Sequence, residues 1–124
     1  MRNTAELQII GIDTEEGIAC CADDPEFYEE MLEEFVHESQ QQIKDLVRFY
    51  EARDWKNYGI RAHSIKSSSR MIGAKRLSEM ARTMEAAAKA GDGDAVDSSH
   101  LSFLAEYEKT SAAIRNWLET SARE

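Results

Sequence analysis

His63, Lys66, Ser67 and Arg70 stand at positions i, i+3, i+4 and i+7 of one run of the chain. If that run is helical, residues at those spacings share a face. Neutral imidazole is a competent nucleophile near neutral pH. A phosphoryl group on its nitrogen would carry oxyanions that an ammonium one turn away can stabilise. Ser67 is small and leaves room beside the ring for another surface to approach. Ser64, Ser68 and Ser69 add little bulk. Serine is a mediocre helix former, so this clustering calls for a reason such as close approach. The face alone is equally compatible with an incidental surface histidine.

The same run carries Trp55, Tyr58, Ala62, Ile65, Ser69 and Ile72 as a buried stripe. Each helical residue turns the chain by ~100°, which places His63 about a hundred degrees or more from the stripe's centre and at least partly in solvent. Asp54 suits the N-cap, and Gly73 stands where a left-handed stop is wanted. Upstream, Asp24–Pro25 is a helix start, and Glu26, Glu29 and Glu30 suit the positive end of the dipole. Phe27, Met31, Phe35, Ser39, Ile43, Leu46 and Tyr50, widened by Leu32, Val36 and Val47, then predict one amphipathic helix over about 25–52. Downstream, Leu77, Met80, Ala81, Met84 and Ala88 make a third face that ends at the Gly91–Asp92–Gly93–Asp94 turn. Val96, Leu101, Leu104, Tyr107, Ser111, Ile114 and Leu118 predict a last helix over about 95–120. Asp13 with Glu16 resembles a capping box for a short helix that ends near Cys21. Strand-like alternation is absent and proline occurs once. Short loops between long helices force antiparallel neighbours. The expected fold is all-α: an up-down antiparallel four-helix bundle with a short extra N-terminal helix, one domain over 1–124 with its core at about 11–120.

At 124 residues the chain is the size of one domain, with no room for a separate nucleotide-binding domain. No apolar run approaches the ~18 residues of a membrane span, and the first residues lack the apolar stretch of a signal peptide, so a cytoplasmic setting is expected. Cys20 and Cys21 are adjacent, poorly placed to staple a fold, and expected reduced. The net charge of −9 argues against nucleic acid as a partner. Yet residues 60–82 hold six bases (Arg61, Lys66, Arg70, Lys75, Arg76, Arg82) and one acid, Glu79. Such an island is either a docking site for something acidic or a fluctuation in surface charge. Glu34–His37 and the imperfect Asp97–His100 pair fall short of the di-iron pattern, so no metal site is expected. The Gly-Asp-Gly-Asp turn lacks the lysine of a phosphate loop, and the serines lack a strained elbow with a relay.

The run from His63 through Lys66, Ser67, Ser68, Gly73 and Ala74 resembles the signature of the histidine phosphotransfer (HPt) family. That signature has lysine three after the histidine, small residues at four and five, and Gly-Ala at ten and eleven. Leu77, Glu85 and the Gly-Asp turn resemble the family's continuation, and Gly11-Ile12-Asp13 with the 28–35 stretch resembles its entry, so the likeness covers about 11–120. Ser67 departs from the frequent glycine while keeping the site small. The resemblance implies that His63 accepts a phosphoryl group, through Nε2, from the aspartate of a response-regulator receiver and passes it to another. Lys66 would neutralise phosphoryl charge, and Arg61, Ser67 and Arg70 would meet the partner. Mg²⁺ would sit on the partner receiver, with no cofactor on this chain and no kinase activity of its own. Expected partners are receiver domains or a hybrid sensor histidine kinase, with the chain itself a monomer. Two other readings remain. One is a non-catalytic helical adaptor binding through the 60–82 face, which the retained histidine disfavours. The other is the dimerisation hairpin of a sensor kinase, which wants an acid where Ser64 follows His63.

Overall fold

The computed structural model describes residues 4–121. It contains helices α1 (Ala5–Ile9), α2 (Thr14–Cys20), α3 (Pro25–Glu51), α4 (Trp55–Met71), α5 (Lys75–Lys89) and α6 (Gly93–Ser121). Side-chain caps start three of the four long helices, α3, α4 and α6, and the short α2; α5 starts at Ala74 without one. Asp24 accepts from the amides of Glu26 (3.0 Å) and Phe27 (3.4 Å), with Pro25 at the first helical position. Asp54 accepts from Asn57 (3.2 Å), and Asp13 from Glu16 (3.0 Å). Asp92 accepts from Ala95 (3.1 Å), so the Gly-Asp-Gly-Asp turn is also the start of α6. Each cap satisfies an amide that the first helical turn leaves without a carbonyl.

Three-residue turns join α3 to α4, α4 to α5 and α5 to α6. Turns this short reverse the chain. α3 packs on α4 and α6, and α5 packs on the same two, which closes a four-helix bundle. Leu32, Leu46, Tyr58, Ile65, Leu77, Met84, Phe103, Tyr107, Ile114 and Trp117 fill its centre. Ser39 and Ser111 share a buried 2.7 Å hydrogen bond across α3 and α6.

The structure departs from the sequence expectations at its edges. Two short helices precede the bundle instead of one; α2 lies against α3 and α4, and α1 against α6. The core also begins before residue 11, because Leu7 of α1 is fully buried. In the first turn of α3 the inward aromatic is Tyr28, whose hydroxyl donates to the Ile72 carbonyl at 2.8 Å, while Phe27 is exposed. On α6 the buried positions run Val96, His100, Phe103, Tyr107, Ser111, Ile114 and Trp117, and Leu101 is 78% exposed. The misassignments at Tyr28 and His100 share one cause. The inward stripe passes through amphipathic side chains whose polar atoms find partners inside, and a purely apolar pattern steps around them.

Candidate functional site

α4 and α5 form the most extensive helix pair, and small residues let them approach. A Cβ on Gly59 would meet that of Ala88 at 3.4 Å, so the helices touch there through almost nothing but backbone. The turn joining them depends on Gly73, at φ +83°. A side chain at that position would collide with the Asp13 carbonyl, while the Asp13 amide donates to the Gly73 carbonyl at 2.9 Å. Ser78 adds a tie by donating to the Lys66 carbonyl at 3.1 Å.

His63 lies one turn beyond Gly59 on α4, and Glu85 just under one turn before Ala88 on α5, so the close approach makes them face each other. His63 Nδ1 is 2.8 Å from Glu85 Oε2. Lys66 Nζ donates to Glu85 Oε1 at 2.6 Å, and Lys89 Nζ lies 3.0 Å from Oε2. Glu85 is 4% exposed. Burial pushes its carboxyl upward, but hydrogen bonds from Lys66, Lys89 and His63 override that and hold it at about 2. Glu85 is therefore an anion near neutral pH and can only accept. The proton between it and a neutral His63 must then sit on Nδ1, which leaves Nε2 with its lone pair. The His63 side chain is 58% exposed, so an incoming electrophile can reach the ring.

Ser67 and Arg70 are exposed on the same helix, as their spacing required. Arg61 points elsewhere: its Nε donates to the buried Asp45 of α3 at 3.0 Å. The basic island is to a large extent internally balanced. Arg61 pairs with Asp45, Lys66 with Glu85, Lys75 with Asp13 and Glu16, and Arg76 with Glu106. Arg70 and Arg82 remain as exposed cations of the island.

The other histidines are placed differently. His37 is exposed on α3. His100 is 3% exposed, with Nδ1 2.8 Å from the Tyr58 hydroxyl and its ring stacked 3.8 Å from that of Tyr50. Burial lowers its pKa and keeps it neutral, and its ring is closed to a partner. Among the described residues no three His, Cys, Asp or Glu side chains gather as metal ligands. Nor is any described helix long and apolar enough to cross a membrane.

Glu85 and Lys89 are the site residues that helix-face reasoning around His63 left out. Their signal was present on α5: an acid flush with the stripe Leu77, Ala81, Met84, Ala88, and a base four residues on. An acid in that position must have donors from a neighbouring helix, but which helix is a matter of packing.

Compared with known families, residues 30–123 match the Hpt domain. Neither curated proteins nor solved structures yield a match. The matched segment begins inside α3, so the Gly11-Ile12-Asp13 entry lies outside it. It takes in about three-quarters of the sequence, including His63, Lys66 and Glu85 and both helices that hold them, and on that ground the chain belongs to the Hpt domain family, the phosphoryl carriers of phosphorelays.

Proposed function

We propose that His63 accepts a phosphoryl group from the aspartyl phosphate of a receiver domain and passes it to the aspartate of another. The observation that carries this reading is the 2.8 Å contact between His63 Nδ1 and an anionic, buried Glu85, on a ring that is itself 58% exposed. In the neutral ring that contact holds the proton on Nδ1 and leaves the Nε2 lone pair free, on a side chain that solvent can reach. In the forward step the Nε2 lone pair forms the N–P bond as the P–O bond to the aspartate breaks, and the aspartate leaves as carboxylate. The Nδ1 proton stays in its bond to Glu85, and the phosphorylated imidazolium is stabilised by that carboxylate. The return step reverses these bonds on a second receiver. Phosphoryl transfer passes through a loose transition state, so it asks mainly for alignment and charge stabilisation.

Lys66 supplies part of that charge. Its ammonium is held 2.6 Å from Glu85, one turn from the ring, and is partly exposed. Ser67 keeps the surface low beside the ring, and Arg70 attracts the acidic mouth of the receiver. Arg61 contributes chiefly through its pair with Asp45, which steadies α4 against α3. Mg²⁺ belongs to the receiver's phosphorylation site. The chain acts as a monomeric carrier without kinase activity of its own.

The test is to mix the protein with a ³²P-labelled phosphoreceiver and Mg²⁺ and follow acid-labile, alkali-stable label. Label is expected on the wild type and none on His63→Gln. Label that persists in His63→Gln, or a wild type that no receiver loads, overturns the reading; the latter outcome leaves a non-catalytic adaptor.

A further inference from the structure

Beside His63, α4 and α5 leave an open hollow of about 700 Å³. It runs two turns along α4, from Trp55 at one end to His63 and Glu85 at the other. Its apolar surface comes from Trp55, Ile60 and the thin Gly59–Ala88 contact. Ile60 is 51% exposed and stands off the buried stripe of its helix, so the fold gains little from an isoleucine there. Trp55 is held as a fixed wall, packed edge-on to Tyr58 at 6.1 Å and tilted against Tyr50 at 6.2 Å. A wall that is already ordered costs little further entropy when a partner packs on it.

The charge that lines the hollow is mostly basic, while Asp92 and Asp94 stand beyond its Trp55 end. Lys56 and Lys89 line it, both exposed. Its only acid is Glu85, which is already engaged by three donors. On a chain of net charge −9, a positive, apolar hollow next to the reactive ring selects for a partner that is apolar at its centre and acidic around it.

We propose that this hollow receives an apolar side chain of the phosphoryl-donating receiver, flanked by a carboxylate that meets Lys56. The proposal rests on the phosphotransfer reading above and adds to it where the receiver is gripped: on the α4–α5 side of His63, toward Trp55. A receiver anchored at Ile60 is fixed within one turn of His63, so docking and in-line alignment are set by one rigid helix pair.

The experiment uses the intact chain and a purified receiver domain that loads wild-type His63. Initial transfer rates are measured against phosphoreceiver concentration for wild type, Ile60→Asp, Ile60→Ser and Lys56→Glu. Labelling by phosphoramidate, a small donor that needs no docking surface, is measured alongside. Ile60→Asp is expected to raise the half-saturating receiver concentration about tenfold, and Ile60→Ser about threefold, the scale of a lost apolar anchor. Lys56→Glu should raise it several-fold at low salt and little at high salt. The plateau rate and phosphoramidate labelling should stay within twofold of wild type in all three. Unchanged half-saturation in both Ile60 variants overturns the proposal, as does a fall confined to the plateau. A concentration-dependent dimer of the wild type that Ile60→Asp dissociates would overturn it too, by giving the hollow to a second copy of this chain. If instead wild-type His63 takes no label from any receiver, the phosphotransfer reading itself has failed, which separates the two.

Discussion

Replacing Glu85 with alanine tests how the carboxylate prepares His63. The substitution removes the acceptor that keeps the proton on Nδ1, at 2.8 Å, and releases Lys66 and Lys89. A hydrogen bond to a charged group is worth about 1.5–3 kcal/mol when buried. The His63 side chain is 58% exposed, so water competes and roughly 1 kcal/mol remains. That corresponds to about a fivefold loss in the preference for the Nδ1–H tautomer. The transfer rate at saturating receiver should fall about threefold to tenfold, because fewer rings offer a bare Nε2 and the imidazolium formed during transfer loses its counter-charge. Stability should move by less than about 1–2 kcal/mol, since both lysines can return to water and a buried carboxylate no longer needs to be desolvated. Glu85→Gln should lie between, because its amide oxygen can still accept from Nδ1. The assay pairs transfer kinetics with ¹⁵N shifts of the His63 ring, and a thermal melt checks folding. An alanine variant that transfers at the wild-type rate while its shifts still place the proton on Nδ1 refutes the reasoning.

The same carboxylate makes the fold acid-sensitive. Its pKa is held at about 2, below the ordinary 4.5, so its contribution is fully present above pH 4.5 and is lost as pH falls from there toward 2. Linkage over that shift gives about 3 kcal/mol, which screening by solvent near the exposed lysines reduces to about 1–2. Denaturation at fixed pH should show a loss between pH 4.5 and 2 that is smaller in Glu85→Gln; identical profiles would remove Glu85 as its source. Tyr58→Phe leaves the buried His100 Nδ1 without its 2.8 Å partner and should lower stability by about 1–3 kcal/mol with transfer almost unchanged, read by urea titration and the labelling assay. Gly73→Ala forces a left-handed residue and a collision with the Asp13 carbonyl; a loss of at least about 2 kcal/mol is expected, and a melting temperature equal to wild type would show that the turn relaxes freely.

Much of this molecule is local in origin. Asp24–Pro25, Asp54 and Gly73 mark helix ends through bonds and backbone angles that involve neighbours in sequence, and the 58, 62, 65, 69, 72 stripe sets which way α4 turns. From those alone His63 had to stand off the core with Lys66 and Ser67 on its face, and the signature spacing joined it to a family. What lay outside local pattern was everything decided by a second helix. Whether Arg61 faced a partner or Asp45 depended on α3. Whether His100 was a surface residue or a stacked, hydrogen-bonded part of the core depended on Tyr50 and Tyr58. The step from an exposed histidine to one with a defined tautomer depended on Gly59 and Ala88 bringing Glu85 within 2.8 Å. The sequence by itself determined where the four long helices begin and end and which way α4 faces, because those are properties of φ, caps and a 3.6-residue period; on α3 and α6 the inward stripe was fixed only by the helices packed against it. Only the tertiary structure decided which carboxylate holds Nδ1, because a hydrogen bond between side chains 22 residues apart exists only once two helices have packed.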